Sequence, residues 1–555
     1  MKNNRLPILS FILLFQFLSL HVKGQSAYIP PDKPRLIVTI IVEQLRFDQF
    51  EKLKNRFSDN GLRKMMNEGT SFKNARYNYV NTQSGPGHAT IATGATPAVH
   101  GITSDYWHVP LRNEMIYCTS DKNVSPVGGS FESGQHSPVQ LMASTIADEL
   151  FLSTNGTAKI FSVGMKESSA ILSAGHVKGG VYWFDFITGS WMSSSYYMTE
   201  LPAWVNDFNA LRLPDSYMGK IWIPLKGAEL YSDCLPDSNR FELGFNNVSF
   251  FPYDLRKLQT KGIPGLKKDY SLLAETPFGN SLTKDFAMRL VREEGLGKDE
   301  VTDYLSVCFA ANDRIGHRFG PSSVEAADAL LRLDADISEF LTMLNDSIGK
   351  KNILVIFTSA HGVAEPPSVL EGSRIPSGYF RHTQALQLLR IYLNAIYGQG
   401  DWVKGYFDNQ VYLNRTLIED ARLQLEEFQK RVARFLVQNT GVASAYPMSM
   451  FETADFSNGF LRMASNNFMP QRSGDVLVIL SPGWVETAEN SITNHNSPYD
   501  YDIHVPMIWY GWIVNRATVN RRVDMADIAP TLSVLCGIPM PNAVHGEPVV
   551  ELLRQ

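Results

Sequence analysis

The chain has 555 residues, of which 44% are hydrophobic and 19% are charged, and its formal net charge at pH 7 is -5. This length and apolar content are sufficient to bury a large core, whereas the slightly acidic balance offers no basic surface for nucleic acid. Apolar runs typical of strands are scattered from Leu36 to Trp509. The segments between them are therefore interpreted as insertions into one sheet rather than as separate domains.

Residues 1–24 predict a signal peptide. Lys2 and Arg5 precede an apolar run from Leu6 to Leu20, and the polar sequence V-K-G follows shortly afterwards. The run is too short to be a membrane anchor, and no cysteine follows it that would carry a lipid. We therefore expect the mature chain, residues 25–555, to be periplasmic or secreted and to have no stable membrane anchor.

The first predicted strand, Leu36 to Val42, is continuously apolar, as expected where helices cover both faces of a parallel sheet. Further along the chain, Ser84 lies in T-Q-S-G-P-G-H-A-T, where glycine and proline impose a turn and the next residues favour a helix. A hydroxyl at a helix N-terminus is well placed for phosphoryl transfer, because backbone N–H groups and the helix dipole attract an anion. Read alone, the same letters are typical of an ordinary turn.

Acidic and histidine residues follow the later apolar runs. Asp313 and His317 come after the run Leu305 to Ala310 and are four residues apart. On a helix they share one face and can share a cation, although such pairs are more often ordinary surface pairs. His361 follows the next apolar run, at the edge where open α/β sheets bind ligands, and His504 precedes V-P-M-I-W-Y. A carboxylate with imidazoles is a ligand set that catalytic zinc prefers.

The remaining segments predict how the sheet is connected. The helical period from Val324 to Leu344 predicts a long amphipathic helix between two strands, and Val476 to Leu480 predicts another strand. Two segments, about 177–280 and 379–470, are predicted insertions that either cap the site or form the core of a subdomain.

Four cysteines permit at most two disulfides, but they are widely spaced and show no C-x-x-C pattern. They imply no cysteine zinc site. Two of them, Cys308 and Cys536, lie in apolar runs and are predicted to be buried thiols.

Several segments, in order along the chain, carry a family pattern. They are R-L-I-V-T-I-I-V-E-Q-L-R-F-D, the Ser84 segment through A-V-H-G-I, M-K-E-S-S-A-I-L-S-A-G-H, V-Y-W-F-D-F-I-T-G-S-W, N-D-R-I-G-H-R-F-G-P, H-G-V-A-E, S-P-Y-D-Y-D-I-H-V-P and D-M-A-D-I-A-P-T-L. The chain thereby resembles the alkaline phosphatase superfamily, specifically the PafA-type periplasmic phosphatases related to the nucleotide pyrophosphatase/phosphodiesterases. The resemblance implies an α/β three-layer sandwich with a central, mostly parallel sheet and inserted cap segments. It also implies hydrolysis of a small-molecule phosphate ester.

The resemblance further implies two zinc ions, about 4 Å apart as in other two-metal sites, that clamp the phosphoryl group. In that family one ion is held by an Asp, a His and a distant His. Here Asp313, His317 and His504 match these three ligands. The first zinc site is therefore predicted to be complete.

The second zinc site departs from the family pattern at two positions. Its matching residues are Glu43, Ser84 and the pair Ala360 and His361, where the family has two Asp residues at the positions of Glu43 and Ala360. Zinc accepts either carboxylate, but alanine has no donor atom. A second ion therefore requires water or a neighbour such as Glu365 as a further ligand.

The residues that contact phosphate in the family are also altered. Lys166 matches the family lysine, whereas Asp105 replaces an Asn and Ser168 replaces an Arg. An ionised Asp105 repels a phosphate, unless it is protonated or binds a cation. Losing the Arg removes a fork-shaped donor suited to phosphate oxygens.

Two classes of function stay open. The first is a metal-dependent hydrolase in which Ser84 attacks the ester and Lys166 and Asp105 belong to the catalytic site. A diester or a sulfate ester, which carries less charge than a monoester, is a variant of this class. The second is a degraded pseudo-phosphatase that binds a metal or ligand without turnover. The oligomeric state is left open.

Overall fold

The computed structural model describes residues 33–109, 113–246, 248–258, 269–486 and 491–553. The predicted signal peptide, residues 1–24, lies outside this range. The described residues from Pro34 onward form one compact unit.

The strands are numbered here in chain order. They are β1 (Leu36–Val42), β2 (Thr70–Arg76), β3 (Tyr106–Val109), β4 (Glu114–Tyr117), β5 (Pro126–Val127), β6 (Ile160–Gly164), β7 (Gly180–Asp185), β8 (Ser190–Ser194), β9 (Ile221–Trp222), β10 (Tyr253–Asp254), β11 (Asp303–Phe309), β12 (Ile353–Ser359), β13 (Gly378–Phe380), β14 (Val403–Phe407), β15 (Gln410–Leu413), β16 (Val442–Pro447), β17 (Val476–Leu480), β18 (Trp484–Glu486), β19 (His504–Gly511), β20 (Ala517–Val519) and β21 (Val523–Asp524).

The α-helices are numbered in the same way. They are α1 (Phe47–Leu53), α2 (Leu62–Glu68), α3 (Ser84–Thr93), α4 (Pro97–His100), α5 (Ile146–Ser153), α6 (Glu167–Ala174), α7 (Ala203–Ala210), α8 (Leu213–Met218), α9 (Leu255–Leu258), α10 (Ser271–Ala274), α11 (Phe278–Glu293), α12 (Ala311–Phe319), α13 (Val324–Ser347), α14 (Pro367–Gly372), α15 (His382–Tyr397), α16 (Arg415–Asp420), α17 (Leu425–Leu436), α18 (Met450–Thr453), α19 (Gly459–Ser465), α20 (Asp500–Ile503), α21 (Ile528–Cys536) and α22 (Val550–Leu553).

The described strands build an 11-stranded central sheet in the order β20-β2-β19-β12-β1-β11-β6-β7-β8-β5, with β21 beside β2. Its middle is parallel, because β12, β1, β11, β6 and β7 pair in parallel along the sheet. Strand β19 runs antiparallel to β12. The carboxyl ends of the five parallel strands therefore meet at one edge, where open α/β sheets place their ligands.

Both faces of this sheet are covered. Every residue of β1 is buried, and its side chains alternate between the two main hydrophobic clusters: Val38 and Ile40 belong to one, and Ile37 and Ile41 to the other. Helices α11 and α13 pack into the first cluster, and α21 packs into the second. This arrangement confirms the predicted three-layer α/β class with a mostly parallel sheet.

The predicted elements correspond closely to the observed ones. Strand β1 has the predicted bounds, and the predicted helix from Val324 extends to Ser347 as α13 and connects β11 to β12 through the short helix Lys350–Asn352. The strand predicted at Val476 to Leu480 is β17, which belongs to a four-stranded sheet, β14-β15-β17-β16.

The two predicted insertions differ in character. The predicted start of the first, at about 177, is too early, because β7 and β8 extend the central sheet. The second contains three strands of the four-stranded sheet, β14, β15 and β16, whereas β17 follows it in the chain. The side chains of this sheet pack with α15 and α17 in a hydrophobic cluster of their own. This favours a subdomain core for that segment, while its role as a cap stays a prediction.

Cys308 and Cys536 are buried and free, as predicted, and Cys118 and Cys234 form no disulfide either. Among the described residues, no helix has both the length and the apolar character required to cross a bilayer.

Candidate active site and metal centre

Parallel strand ends bring the predicted site residues together. Glu43 directly follows β1, Lys166 is two residues beyond β6, and His361 is two residues beyond β12. Asp313 lies in the first turn of α12, which begins just after β11. Since these four strands are parallel, all four side chains lie at the same edge of the sheet.

Ser84 is the first residue of α3 and is only 1% exposed. Gln83 before it has an extended backbone, so the chain enters the helix at the serine. Gly87, one turn further, packs so closely on the end of β12 that a Cβ there would lie 2.3 Å from the carbonyl oxygen of Ala360. The glycines of the S-G-P-G-H segment therefore allow the helix N-terminus to approach the sheet edge.

The Glu43 carboxylate is fully buried and makes four polar contacts. Its Oε2 accepts a hydrogen bond from the Ser84 hydroxyl and lies 3.3 Å from His361 Nε2. Its Oε1 accepts a hydrogen bond from Ser169 and lies 3.0 Å from His88 Nε2. His361 Nε2 also lies 3.5 Å from Ser84 Oγ. Both carboxylate oxygens are thus occupied by protein donors.

Opposite charges set the protonation states in this network. Burial alone would raise the pKa of Glu43, but the hydrogen bonds from His361 and His88 hold that pKa well below its usual range. Burial alone would lower the pKa of His88, whereas Cys308 and Glu43 raise it to about 9. At neutral pH an ionised Glu43 therefore faces a protonated His88.

Asp313, His317 and His495 form the one cluster among the described residues in which at least three His, Cys, Asp or Glu ligand atoms all lie within 4.8 Å of one another. Asp313 Oδ1 is 3.3 Å from His317 Nε2 and 3.7 Å from His495 Nε2. Gln44, next to Glu43, donates to the same carboxylate oxygen at 2.9 Å.

The two imidazoles of this cluster are oriented by their other nitrogens. His317 Nδ1 lies 3.0 Å from the carbonyl oxygen of Thr493, and His495 Nδ1 lies 2.7 Å from that of Thr82. Donation of Nδ1–H to a carbonyl leaves Nε2 with a free lone pair, which is the usual state of a metal-binding histidine. Burial and the neighbouring His361 hold the pKa of His495 well below its usual value, so this imidazole is neutral. The donor set fits a single divalent cation.

His504, predicted as the third ligand of the first zinc ion, is not part of this cluster. It is the first residue of β19, its Nε2 lies 3.0 Å from the carbonyl oxygen of Lys73, and its ring stacks on Phe47 at 4.2 Å. Strand β19 is two positions away from β1 in the sheet, whereas the loop before α20 carries His495 back toward Asp313. Of the two histidines in N-H-N-S-P-Y-D-Y-D-I-H, the structure brings His495 to Asp313 and His317, and not the predicted His504.

The residues predicted for a second zinc ion do lie together, but they do not fit a second complete metal site. Ala360 is buried without a donor atom, and Glu43 is already saturated by hydrogen bonds. Glu365, the possible replacement ligand, instead contacts Arg46 and Ser322.

Lys166 and Asp105 form an ion pair beside the start of α3, with 3.0 Å between Nζ and Oδ2. The other carboxylate oxygen of Asp105 accepts a hydrogen bond from Gly85 N at 2.7 Å. Burial alone would lower the pKa of Lys166, but the carboxylates of Asp105, Glu43 and Asp313 raise it, so the lysine is a cation. Ser168 is buried and accepts a hydrogen bond from the Tyr117 hydroxyl at 3.0 Å.

A buried serine at a helix N-terminus, beside a lysine and a cluster able to hold a divalent cation, defines a metal-assisted hydrolase of esters with an anionic reacting group. Comparison with known proteins agrees with this class. The family described as Type I phosphodiesterase / nucleotide pyrophosphatase matches residues 37–504. The chain belongs to this family.

Individual relatives cover nearly the whole chain. The alkaline phosphatase PafA of Elizabethkingia meningoseptica is 33% identical over 94% of this chain and 95% of its own length. A protein of Myroides odoratus named calcium-transporting ATPase is 36% identical over 94% of this chain and 95% of its own length. The crystal structure of wild-type PafA superposes with a TM-score of 0.87 and covers 94% of this chain and 99% of that one. The predicted family resemblance is therefore confirmed.

Proposed function

We propose that this protein hydrolyses small-molecule phosphate esters, with Ser84 as the nucleophile and one divalent cation held by Asp313, His317 and His495. The observation that carries the proposal is the position of the serine hydroxyl. It contacts Glu43 and lies 3.5 Å from His361, whose ring stacks at 3.9 Å on His495 of the metal cluster. The imidazole of His361 thus contacts both the proposed nucleophile and the metal cluster.

Residues of the site accept the serine proton and stabilise the negative charge of the reacting group. Ser84 Oγ attacks phosphorus while its proton passes to Glu43, which its low pKa keeps ionised beforehand. The ester P–O bond breaks, and the alcohol leaves with the proton that Glu43 gives up. Water then attacks the phosphoryl-serine, one of its protons returns to Ser84 Oγ through Glu43, and inorganic phosphate leaves. Lys166 and the N–H groups of the first turn of α3 are the donors nearest to the negative charge of the reacting group, although Asp105 contacts Lys166 and the N–H of Gly85.

The metal cluster fits zinc, because zinc binds imidazole and carboxylate in tetrahedral sites that keep one position open for substrate. When bound, such an ion supplies Lewis-acid stabilisation of the charge that develops in the transition state. A periplasmic or secreted location is part of the same proposal and rests on the predicted signal peptide.

The Glu43→Gln variant tests the role of the carboxylate. We expect a loss of kcat of roughly 10²- to 10⁴-fold, because a neutral amide does not accept the serine proton. The metal content should not change, because Glu43 is not one of the three clustered ligands. Steady-state kinetics and elemental analysis of the same preparation measure both quantities.

Ser169→Ala is the matched control, because it removes one hydrogen bond to Glu43 and leaves the carboxylate in place. Its kcat should fall by less than about tenfold, as expected for one lost hydrogen bond. Loss of the metal in Glu43→Gln would instead identify Glu43 as a ligand and contradict its proposed role.

A further inference from the structure

The Asp105 carboxylate contacts the hydrogen-bond donors that would otherwise bind an incoming phosphoryl group. One oxygen accepts the backbone N–H of Gly85, the residue after the nucleophile, at 2.7 Å. The other is 3.0 Å from the ammonium of Lys166. An N–H at a helix N-terminus and a lysine are the groups that typically bind phosphate oxygens. Here a protein carboxylate binds both.

This position of Asp105 is fixed by its surroundings. Its backbone N–H donates to Gln83 Oε1 at 2.7 Å, and its carbonyl accepts from Cys118 N at 2.9 Å. Its side chain is 15% exposed, so the carboxylate lies at the site and not in bulk solvent. These two backbone hydrogen bonds do not involve the carboxylate. Another residue type could form them equally well, so they do not explain why this position carries an acidic side chain.

The ammonium of Lys166 already faces several carboxylates of the protein. Lys166 is the cation paired with Asp105, and it also faces the carboxylates of Glu43 and Asp313. Asp408 adds another carboxylate close to Asp105. A phosphate monoester with two negative charges must therefore approach a fixed negative charge, whereas an ester with one charge meets less repulsion.

We propose that Asp105 is a specificity-determining residue, which occupies the anion-binding donors beside Ser84 and selects singly charged esters against doubly charged phosphate monoesters. This inference rests on the proposed hydrolase function, since it concerns the same site. The proposed role of the Asp105 carboxylate is to select the substrate, and the attack of Ser84 on phosphorus does not require it.

The test compares wild-type holoenzyme with the Asp105→Asn variant, which has nearly the same shape and no charge. Binding of inorganic phosphate is measured by calorimetry, and kcat/KM is measured for an aryl phosphate monoester and for the matching aryl methyl phosphodiester. We expect phosphate to bind about tenfold or more tightly in the variant, which corresponds to about 1.4 kcal/mol. The ratio of monoester to diester kcat/KM should rise by a similar factor.

Asp408→Asn is the control, because it changes a neighbouring carboxyl group, whose pKa is raised by burial, that has no hydrogen bond to Gly85 or Lys166 among the described contacts. Its phosphate affinity should change by less than about threefold, in line with a screened longer-range interaction. Asp105→Ser provides a second neutral side chain if Asp105→Asn does not fold.

Unchanged phosphate affinity in a folded neutral variant would overturn the inference, and so would an equal gain in Asp408→Asn. Phosphate binding needs no turnover, so this result is independent of whether the proposed hydrolysis occurs. Absence of Ser84-dependent turnover would contradict the proposed function alone.

Discussion

The Ser84→Ala variant is expected to lose turnover of phosphate esters by about 10⁴-fold or more, as for other enzymes that lose a covalent nucleophile. The serine is buried, lies at the start of α3 and donates its hydroxyl to Glu43, and alanine offers no atom that can attack phosphorus. The measurement is kcat/KM over a panel that contains a phosphate monoester, a phosphodiester and a sulfate ester.

Ser84→Thr is the matched control, since it keeps a hydroxyl at the same position and should retain measurable turnover. The outcome also separates the two classes of function left open by the sequence. If the wild type and Ser84→Ala were indistinguishable over the whole panel, the protein would be a non-catalytic binding protein.

The second large effect is expected from substitution of His495, in the loop before α20. His495→Ala should lower the affinity for the bound cation by at least about 100-fold, because even indirect partners of a metal site contribute 10- to 100-fold. Activity should fall together with metal content. Elemental analysis after dialysis against a weak chelator, followed by kinetics, measures both.

His504→Ala should keep its metal, because its imidazole contacts Lys73 and Phe47 and none of the clustered ligands. The His504→Ala substitution should change only the free energy of unfolding. The opposite pattern, in which His504→Ala loses the metal and His495→Ala keeps it, would restore the ligand set that the sequence predicted.

The fold was predictable because its signals are local and strong. The uninterrupted apolar residues of β1 indicate a strand buried on both faces, and the helical period of α13 indicates its packing face. The candidate His361 followed from the rule that the ends of parallel strands bind ligands, and Ser84 from its place at a helix N-terminus. The family motifs added Glu43 and Lys166.

The third metal ligand was not predictable from strand proximity. His504 is at a strand end and His495 lies in a loop, so a rule based on strand ends selects His504, which lies outside the cluster of Asp313, His317 and His495. A signal was present nevertheless, because His495 is also a part of the T-N-H-N-S-P-Y turn, and loops often carry binding residues. Only the contacts of that loop with the segment after β12, where the His495 ring stacks on His361, show which imidazole reaches Asp313.

The hydrogen-bond network of Glu43 was also missed. His88 and Ser169 lie in motifs that the sequence analysis quoted, but their spacing from Glu43 along the chain gives no indication of contact. In the structure, α3 and α6 bring both side chains to the same carboxylate. Both oxygens of Glu43 therefore have protein partners, and Ala360 supplies no donor atom beside His361.

The number of bound cations is the most direct test of this account. Elemental analysis of the purified mature protein, paired with Ser84-dependent hydrolysis of a phosphate ester, should give about one divalent ion per active chain. The double variant Glu43→Asp with Ala360→Asp should bind about two, because it supplies both carboxylates of the family pattern. Two ions per chain in the active wild type, or turnover with no ion, would contradict the single-cation site.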